Sequence, residues 1–333
     1  MLLTGRAGIT ISLALASICF IACPRNELPP QPRVKISERP SITPTPTPLA
    51  VAFNGERALQ HVRKQIEFGP RPPGSPELAK TRAYIIKEFT SAGVRVNTDE
   101  FTAATPEGEK KMVNIAAEIP GESKDVIIIA SHYDTKYFKD MKFVGANDPG
   151  ASVGTLLELG RVLAGTKPKL TYWLVFFDGE EAFCENWDDC GKPGAPDNTY
   201  GSRRFVDQLR SGNELQRIRA LILLDLMGYK NLELGRDTIS TKWLQDIVWQ
   251  TARELGHRKY FVDRPEGVGG DDHEPFLNAG VPAVDLIQLN DYPYWHRSDD
   301  TLDKISAKSM KIVGDVVSAS LPRIEQRLLS KDK

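Results

Sequence analysis

The sequence predicts an α/β protein, a three-layer α/β/α sandwich around a central mixed, mostly parallel sheet. Two observations carry that expectation. Short continuous apolar runs recur at residues 125–130 (DVIIIA), 170–177 (LTYWLVFF), 221–224 (LILL) and 281–289 (VPAVDLIQL). Runs of this length and make-up mark strands buried on both faces. Between them lie stretches of helical period at 151–163, 200–209, 241–255 and 306–321. Strands alternating with helices give a sheet covered on both sides.

The remaining elements follow in chain order. Residues 57–67 and 76–92 read as helices, the second stopped by Gly93. Residues 94–101 and 112–119 alternate like paired strands, with a turn at Pro120-Gly121-Glu122-Ser123. The domain is expected to cover residues 50–333.

Upstream, residues 1–23 read as a secretory signal. Arg6 is the short positive region, and the apolar stretch after it is broken by Thr10, Ser12 and Ser17. It ends Phe20-Ile21-Ala22-Cys23, which resembles a bacterial lipobox with Phe where Leu is usual. Lipidation of Cys23 would make an exported periplasmic or cell-envelope lipoprotein, and this anchor is the membrane contact expected. Ordinary cleavage without an anchor is the alternative. Residues 24–49, with the run TPTPTP at 43–48, cannot form helix or sheet ladder and read as an extended tether.

Composition narrows the function. The chain has 333 residues, 41% hydrophobic and 26% charged, as ordinary globular proteins do. That excludes a wholly disordered, collagen-like or multi-span membrane protein. Basic and acidic residues number 43 and 44, so no basic surplus points to nucleic acid. A monomer is the simplest expectation.

Each buried run is followed by ionisable residues. DVIIIA leads to His132 and Asp134, LVFF to Asp178, Glu180 and Glu181, LILL to Asp225, and DLIQL, after a loop, to His296. In open α/β sheets the site lies at the carboxyl ends of the strands, so these groups should meet on one rim. Together with Asp148, in the turn VGANDPG, they form a His/carboxylate set without Cys, the ligand chemistry of a catalytic zinc. Asp134 and Asp299 are the acids expected to orient His132 and His296. The helix start after Asp148 would favour its carboxylate, and Asp148-Pro149 is a candidate cis bond. Glu180 and Glu181 are adjacent and point in different directions. One can bind metal while the other shuttles protons.

The order HYD (132–134), GAND (145–148), FFDGEEAF (176–183), LLDLMG (223–228), DDHEPF (271–276) and YWH (294–296) resembles the zinc aminopeptidase superfamily. Within it, the likeness is greatest to the glutaminyl-peptide cyclotransferases, over roughly residues 54–320. That resemblance implies one zinc held by Asp148, Glu181 and His296, with Glu180 as general acid/base. It implies Asp225 and Asp271 as catalytic acids in a hydrogen-bond network that holds the substrate. Trp187 and Trp295 would wall a small pocket for a glutamine side chain; core packing is their alternative role. In the di-zinc aminopeptidases, matched positions imply a second metal on His132, Asp148 and Asp225. Asp271 before Asp272-His273, Trp295 before His296, and YGSR (200–203) after Trp187 lean towards the cyclase.

The chain also departs from the cyclase pattern. Asp285 stands where animal cyclases commonly have His, Ser131 where some have Cys, and Trp187 is shifted by one residue.

The expected partners are peptides or proteins with N-terminal Gln, converted to pyroglutamate with release of ammonia. The alternatives are removal of N-terminal residues by a metallopeptidase, or peptide binding without turnover. So many acids around one ion also require compensation, by a second metal or by a proton shared between Asp225 and Asp271. A disulfide between Cys184 and Cys190 would suit an exported protein and would rigidify the segment bearing Trp187; two free thiols are the alternative.

Overall fold

The computed structural model describes residues 51–331. The expected signal, Cys23 and the proline-rich tether lie outside the described residues. The strands, in chain order, are β1 (Arg95–Thr105), β2 (Gly108–Ile119), β3 (Ser123–His132), β4 (Leu170–Phe177), β5 (Gly191–Lys192), β6 (Ala195–Pro196), β7 (Ile218–Leu224), β8 (Leu234–Asp237), β9 (Phe261–Glu266) and β10 (Ala283–Leu286). The α-helices are α1 (Gly55–Phe68), α2 (Pro76–Ser91), α3 (Ser152–Leu163), α4 (Tyr200–Ser211), α5 (Lys242–Glu254), α6 (Glu274–Asn278) and α7 (Ala307–Lys331). None of the described helices is long and apolar enough to cross a membrane.

The main sheet has the order β1-β2-β4-β3-β7-β10. The β1/β2 and β2/β4 pairs are antiparallel, while β4/β3, β3/β7 and β7/β10 are parallel. Alternation along the central strands builds the three layers. Ile127 and Ile129 of β3, with Ala220, Ile222 and Leu224 of β7, face a core closed by α1, α2, α3, α5 and α7. Val126, Ile128 and Ala130, with Leu221 and Leu223, face the opposite core under α4 and α6. These strands have no polar side, which is why they read as unbroken apolar runs.

Local caps set the first helices. Asn54 accepts the backbone N–H groups of Glu56 and Arg57 at the start of α1, and Ser75 accepts that of Leu78 in α2. The C-terminal helix corrects an expectation. The helical stretch expected over 306–321 runs on through Pro322 to Lys331. Leu321, Ile324 and Leu328 are all buried, so packing of this stripe outweighs the lost backbone bond. The last sheet strand is shorter than its apolar run, at Ala283–Leu286. The small parallel β8/β9 sheet was not expected, because LGRD and FVDRPE carry glycine, proline and charge.

Trp249 of α5 is fully buried, lies edge-on to Phe261 and donates its indole N–H to the Val262 carbonyl at 2.9 Å. Trp249→Ala should therefore cost about 3–5 kcal/mol. Denaturant melts of the two proteins would check this, and a loss under about 1 kcal/mol would contradict the packing.

Candidate active site

The parallel strands β4, β3, β7 and β10 end on one rim, and the expected residues meet there. His132 is the last residue of β3, Asp178–Glu181 follow β4, and Asp225 follows β7. Asp148 lies on a buried π-helical turn, Ala146–Ala151, that leads into α3, with non-helical φ and ψ and a cis bond to Pro149. His296 sits in the loop after β10 with φ of 55°.

Two triads share Asp148. In one, Nε2 of His132 lies 3.3 Å from Oδ1 of Asp148 and 3.3 Å from Oδ1 of Asp225. In the other, Nε2 of His296 lies 3.0 Å from Oε2 of Glu181 and 3.6 Å from Oδ2 of Asp148. Glu180 stands beside them, with Oε2 3.5 Å from Nδ1 of His132. Asp134 lies 3.7 Å from the same Nδ1, beyond hydrogen-bond distance, and accepts the backbone N–H groups of Glu180 and Glu181 instead.

One cleft of about 350 Å³ is lined by Asp148, Glu180, Glu181, Asp225, Asp271 and His296, and by both Trp187 and Trp295. Trp295 is 40% exposed and stacks on His296 with ring centroids 4.1 Å apart, so it is no core residue. Trp187 is half-buried on a loop closed by a Cys184–Cys190 disulfide. The loop is tied down further: Asn198 donates to the Trp187 carbonyl, Asp197 accepts the Cys184 N–H, and buried Lys136 donates to the carbonyls of Ala182 and Cys184.

Several residues escaped sequence reasoning. Asp299 does not orient His296; it is exposed, and the buried acid is its neighbour Asp300. Asp300 accepts the backbone N–H groups of Asn147 and Asp148 and the Tyr292 hydroxyl, bracing the Asp148 turn. Arg71 clamps the same turn through the carbonyls of Val144 and Gly145. Phe138 and Phe143 pack edge-on against His296. Nothing in the SDD triplet distinguishes the two aspartates before folding. Asp271 also gains a neighbour that sequence reasoning did not supply: its carboxyl lies within 4.8 Å of Asp285, besides facing Asp225, which accepts the Leu226 N–H and approaches His132.

The donor set fits a divalent metal. Asp148 Oδ2 and Glu181 Oε1 are buried without a hydrogen-bond partner, and the cleft lining contains neither Lys nor Arg. Imidazole nitrogen with carboxylate oxygen is a zinc ligand set. Without a cation the acids resist ionisation together. Burial first, then Glu181, pushes Asp148 up to about 7. Burial also holds Glu180 well above the usual carboxylate range. Burial would raise Glu181 too, but the neighbouring His296 outweighs it and brings that group down to about 2.

The sign of the pH effect follows. Asp148, at about 7, and Asp178, raised to about 8 by burial and Asp134, keep protons that the unfolded chain loses near 3.8. The folded protein binds the extra protons, so stability falls as pH rises through these values. Glu181 acts oppositely but is complete by 4.5, and His61, lowered to about 4 by burial, opposes only up to 6.5. The Tm of metal-free protein should therefore fall between pH 6.5 and about 8, and zinc should raise it more at the higher pH. A metal-free Tm that is flat or rising across this window would contradict the buried-acid cluster.

Residues 114–321 match the model of peptidase family M28. The chain belongs to that family. This M28 member is 32% identical over 272 residues to glutaminyl-peptide cyclotransferase from Bos taurus, covering 71% of this chain and 73% of the relative. Among solved structures it is similar to an Acidobacteriales bacterium glutaminyl cyclase, with TM-score 0.77 and 38% identity over 85% of this chain and 99% of the other. It is also similar to a leucine aminopeptidase precursor from Bacteroides thetaiotaomicron, with TM-score 0.76 and 26% identity over 82% and 98%. The family fold thus accounts for the mixed, mostly parallel sheet of this M28 protein.

Proposed function

We propose that this chain is a zinc-dependent glutaminyl-peptide cyclotransferase. The observation that supports this most is one cleft holding the Asp148/Glu181/His296 triad, Glu180, Asp271 and two indoles. Bound by that triad, zinc would supply Lewis-acid polarisation of a carbonyl oxygen.

The residues then divide the work. Trp187 and Trp295 flank a short side chain, and the narrow cleft leaves the rest of the peptide in solvent. Asp225 and Asp271 provide acceptors for the substrate α-ammonium group. Glu180 takes a proton from that ammonium, so the amine can attack the side-chain amide carbon. A C–N bond forms and closes the five-membered ring, and the bond to the amide nitrogen breaks. Glu180 delivers a proton to the departing nitrogen, which leaves as ammonia, while the second proton lost by the amine passes to solvent.

The test uses zinc-loaded protein, a short peptide beginning with glutamine, and mass spectrometry. Loss of one ammonia from an otherwise intact peptide is expected. Release of free glutamine would overturn the reading in favour of a di-zinc aminopeptidase. The intact His132/Asp148/Asp225 triad is what favours that second reading.

Asp225→Asn separates the two. A cyclase keeps its zinc and loses most of its activity, whereas a di-zinc enzyme loses about one of two metal equivalents. Metal analysis beside the activity assay reads the difference. Export and anchoring through Cys23 is likewise proposed from the sequence; palmitate labelling that persists in Cys23→Ser would overturn it.

A further inference from the structure

A second buried cluster lies behind the cleft, and the chemistry above does not use it. Asp237, at the end of β8, is 2% exposed; His273, just before α6, and Asp285, in β10, are fully buried. Nε2 of His273 lies 3.1 Å from Oδ2 of Asp237, and its Nδ1 lies 3.9 Å from Oδ2 of Asp285. Ser240 locks the two ends together. Its hydroxyl donates to Asp237 at 2.6 Å and accepts the backbone N–H of Asp285 at 2.9 Å. Polar atoms of Asp271, His273 and Asp285 converge within 4.8 Å. Nδ1 of His273, Oδ2 of Asp271 and both carboxyl oxygens of Asp285 are buried without a hydrogen-bond partner, so one another's polar atoms are the groups nearest to hand.

A buried set of this kind is costly unless its members satisfy one another. We infer that Asp237, His273 and Asp285 form a positioning chain that holds the carboxyl group of Asp271 in the cleft. Asp237 fixes the His273 ring, the ring faces Asp285, and Asp285 faces Asp271. All four anchors stand on or beside strands and a helix, so the orientation of Asp271 is inherited from rigid elements. The groups facing Asp271 include Asp272, His273 and Asp285 on this side and Asp225, Glu180 and His132 across the cleft. The inference rests on the cyclotransferase reading, in which Asp271 holds the substrate ammonium.

The test compares Asp285→Leu with Asp285→Asn in zinc-loaded protein, measuring kcat, KM, zinc content and Tm. The leucine variant cannot contact Asp271 through a hydrogen bond, whereas the asparagine variant can. Asp285→Leu should lower kcat/KM by about ten- to a hundredfold with zinc content and Tm preserved. Asp285→Asn should recover it to within about threefold of the parent. A leucine variant with unchanged kcat/KM, or equal losses in both variants, would overturn the inference. If Asp285→Leu does not fold, His273→Gln decides, since it keeps a donor towards Asp237 but leaves the Nδ1 position empty. The same drop supports the chain, and parental kcat/KM overturns it. Absence of cyclisation by the parent protein in the same assay sinks the cyclotransferase reading itself, a result distinct from any difference among variants.

Discussion

Glu180→Gln is expected to lower turnover by about a hundred- to ten-thousandfold while leaving the zinc content intact. Glutamine has nearly the same shape, and the backbone N–H of residue 180 still donates to Asp134. What it lacks is a site to take up and return a proton. Glu180 is 5% exposed, lies 3.5 Å from His132 and belongs to neither metal triad. A general base should have an affinity for protons near the working pH, and burial holds this carboxyl above its usual range. Steady-state kinetics with metal analysis of the same sample gives the answer. Activity within about threefold of the parent would remove Glu180 from the mechanism.

The second large effect concerns Asp148. It is the one residue common to both triads, so Asp148→Ala should lose metal under either the one-metal or the two-metal reading. Activity should fall to background, and added zinc should no longer raise the Tm. His132→Gln is the informative contrast, because it touches only the triad with Asp225. A cyclase with one zinc keeps its full metal content in that variant. Retention of zinc and activity by Asp148→Ala would place the metal elsewhere.

The site was largely legible before folding because parallel strands impose a strong rule. Buried runs announced β3, β4 and β7, and the first polar residues beyond each run had to gather at one edge. That logic placed His132, Glu180, Glu181 and Asp225 together and extended to His296. The resemblance to zinc aminopeptidases and glutaminyl cyclases added Asp271 and the two tryptophans, which local pattern alone could not have joined. Loops were less legible. Asp299 and Asp300 are neighbours of identical type, and only the chain path around Tyr292 decides which one turns inward under Asp148. Asp237 was equally silent, because β8 is short and carries a glycine and two charges.

By itself the sequence determined the layer order, the strands that run through the core and the kinds of ligand atoms available. Apolar periodicity and burial are linked residue by residue, so those features are written locally. The tertiary structure alone decided which acids pair. It turned Asp271 towards Asp285, put Asp300 rather than Asp299 beneath Asp148, and carried α7 past Pro322. Each of these depends on contacts between segments far apart in the chain. Their energies come from desolvation and packing at a meeting point, which no local pattern encodes.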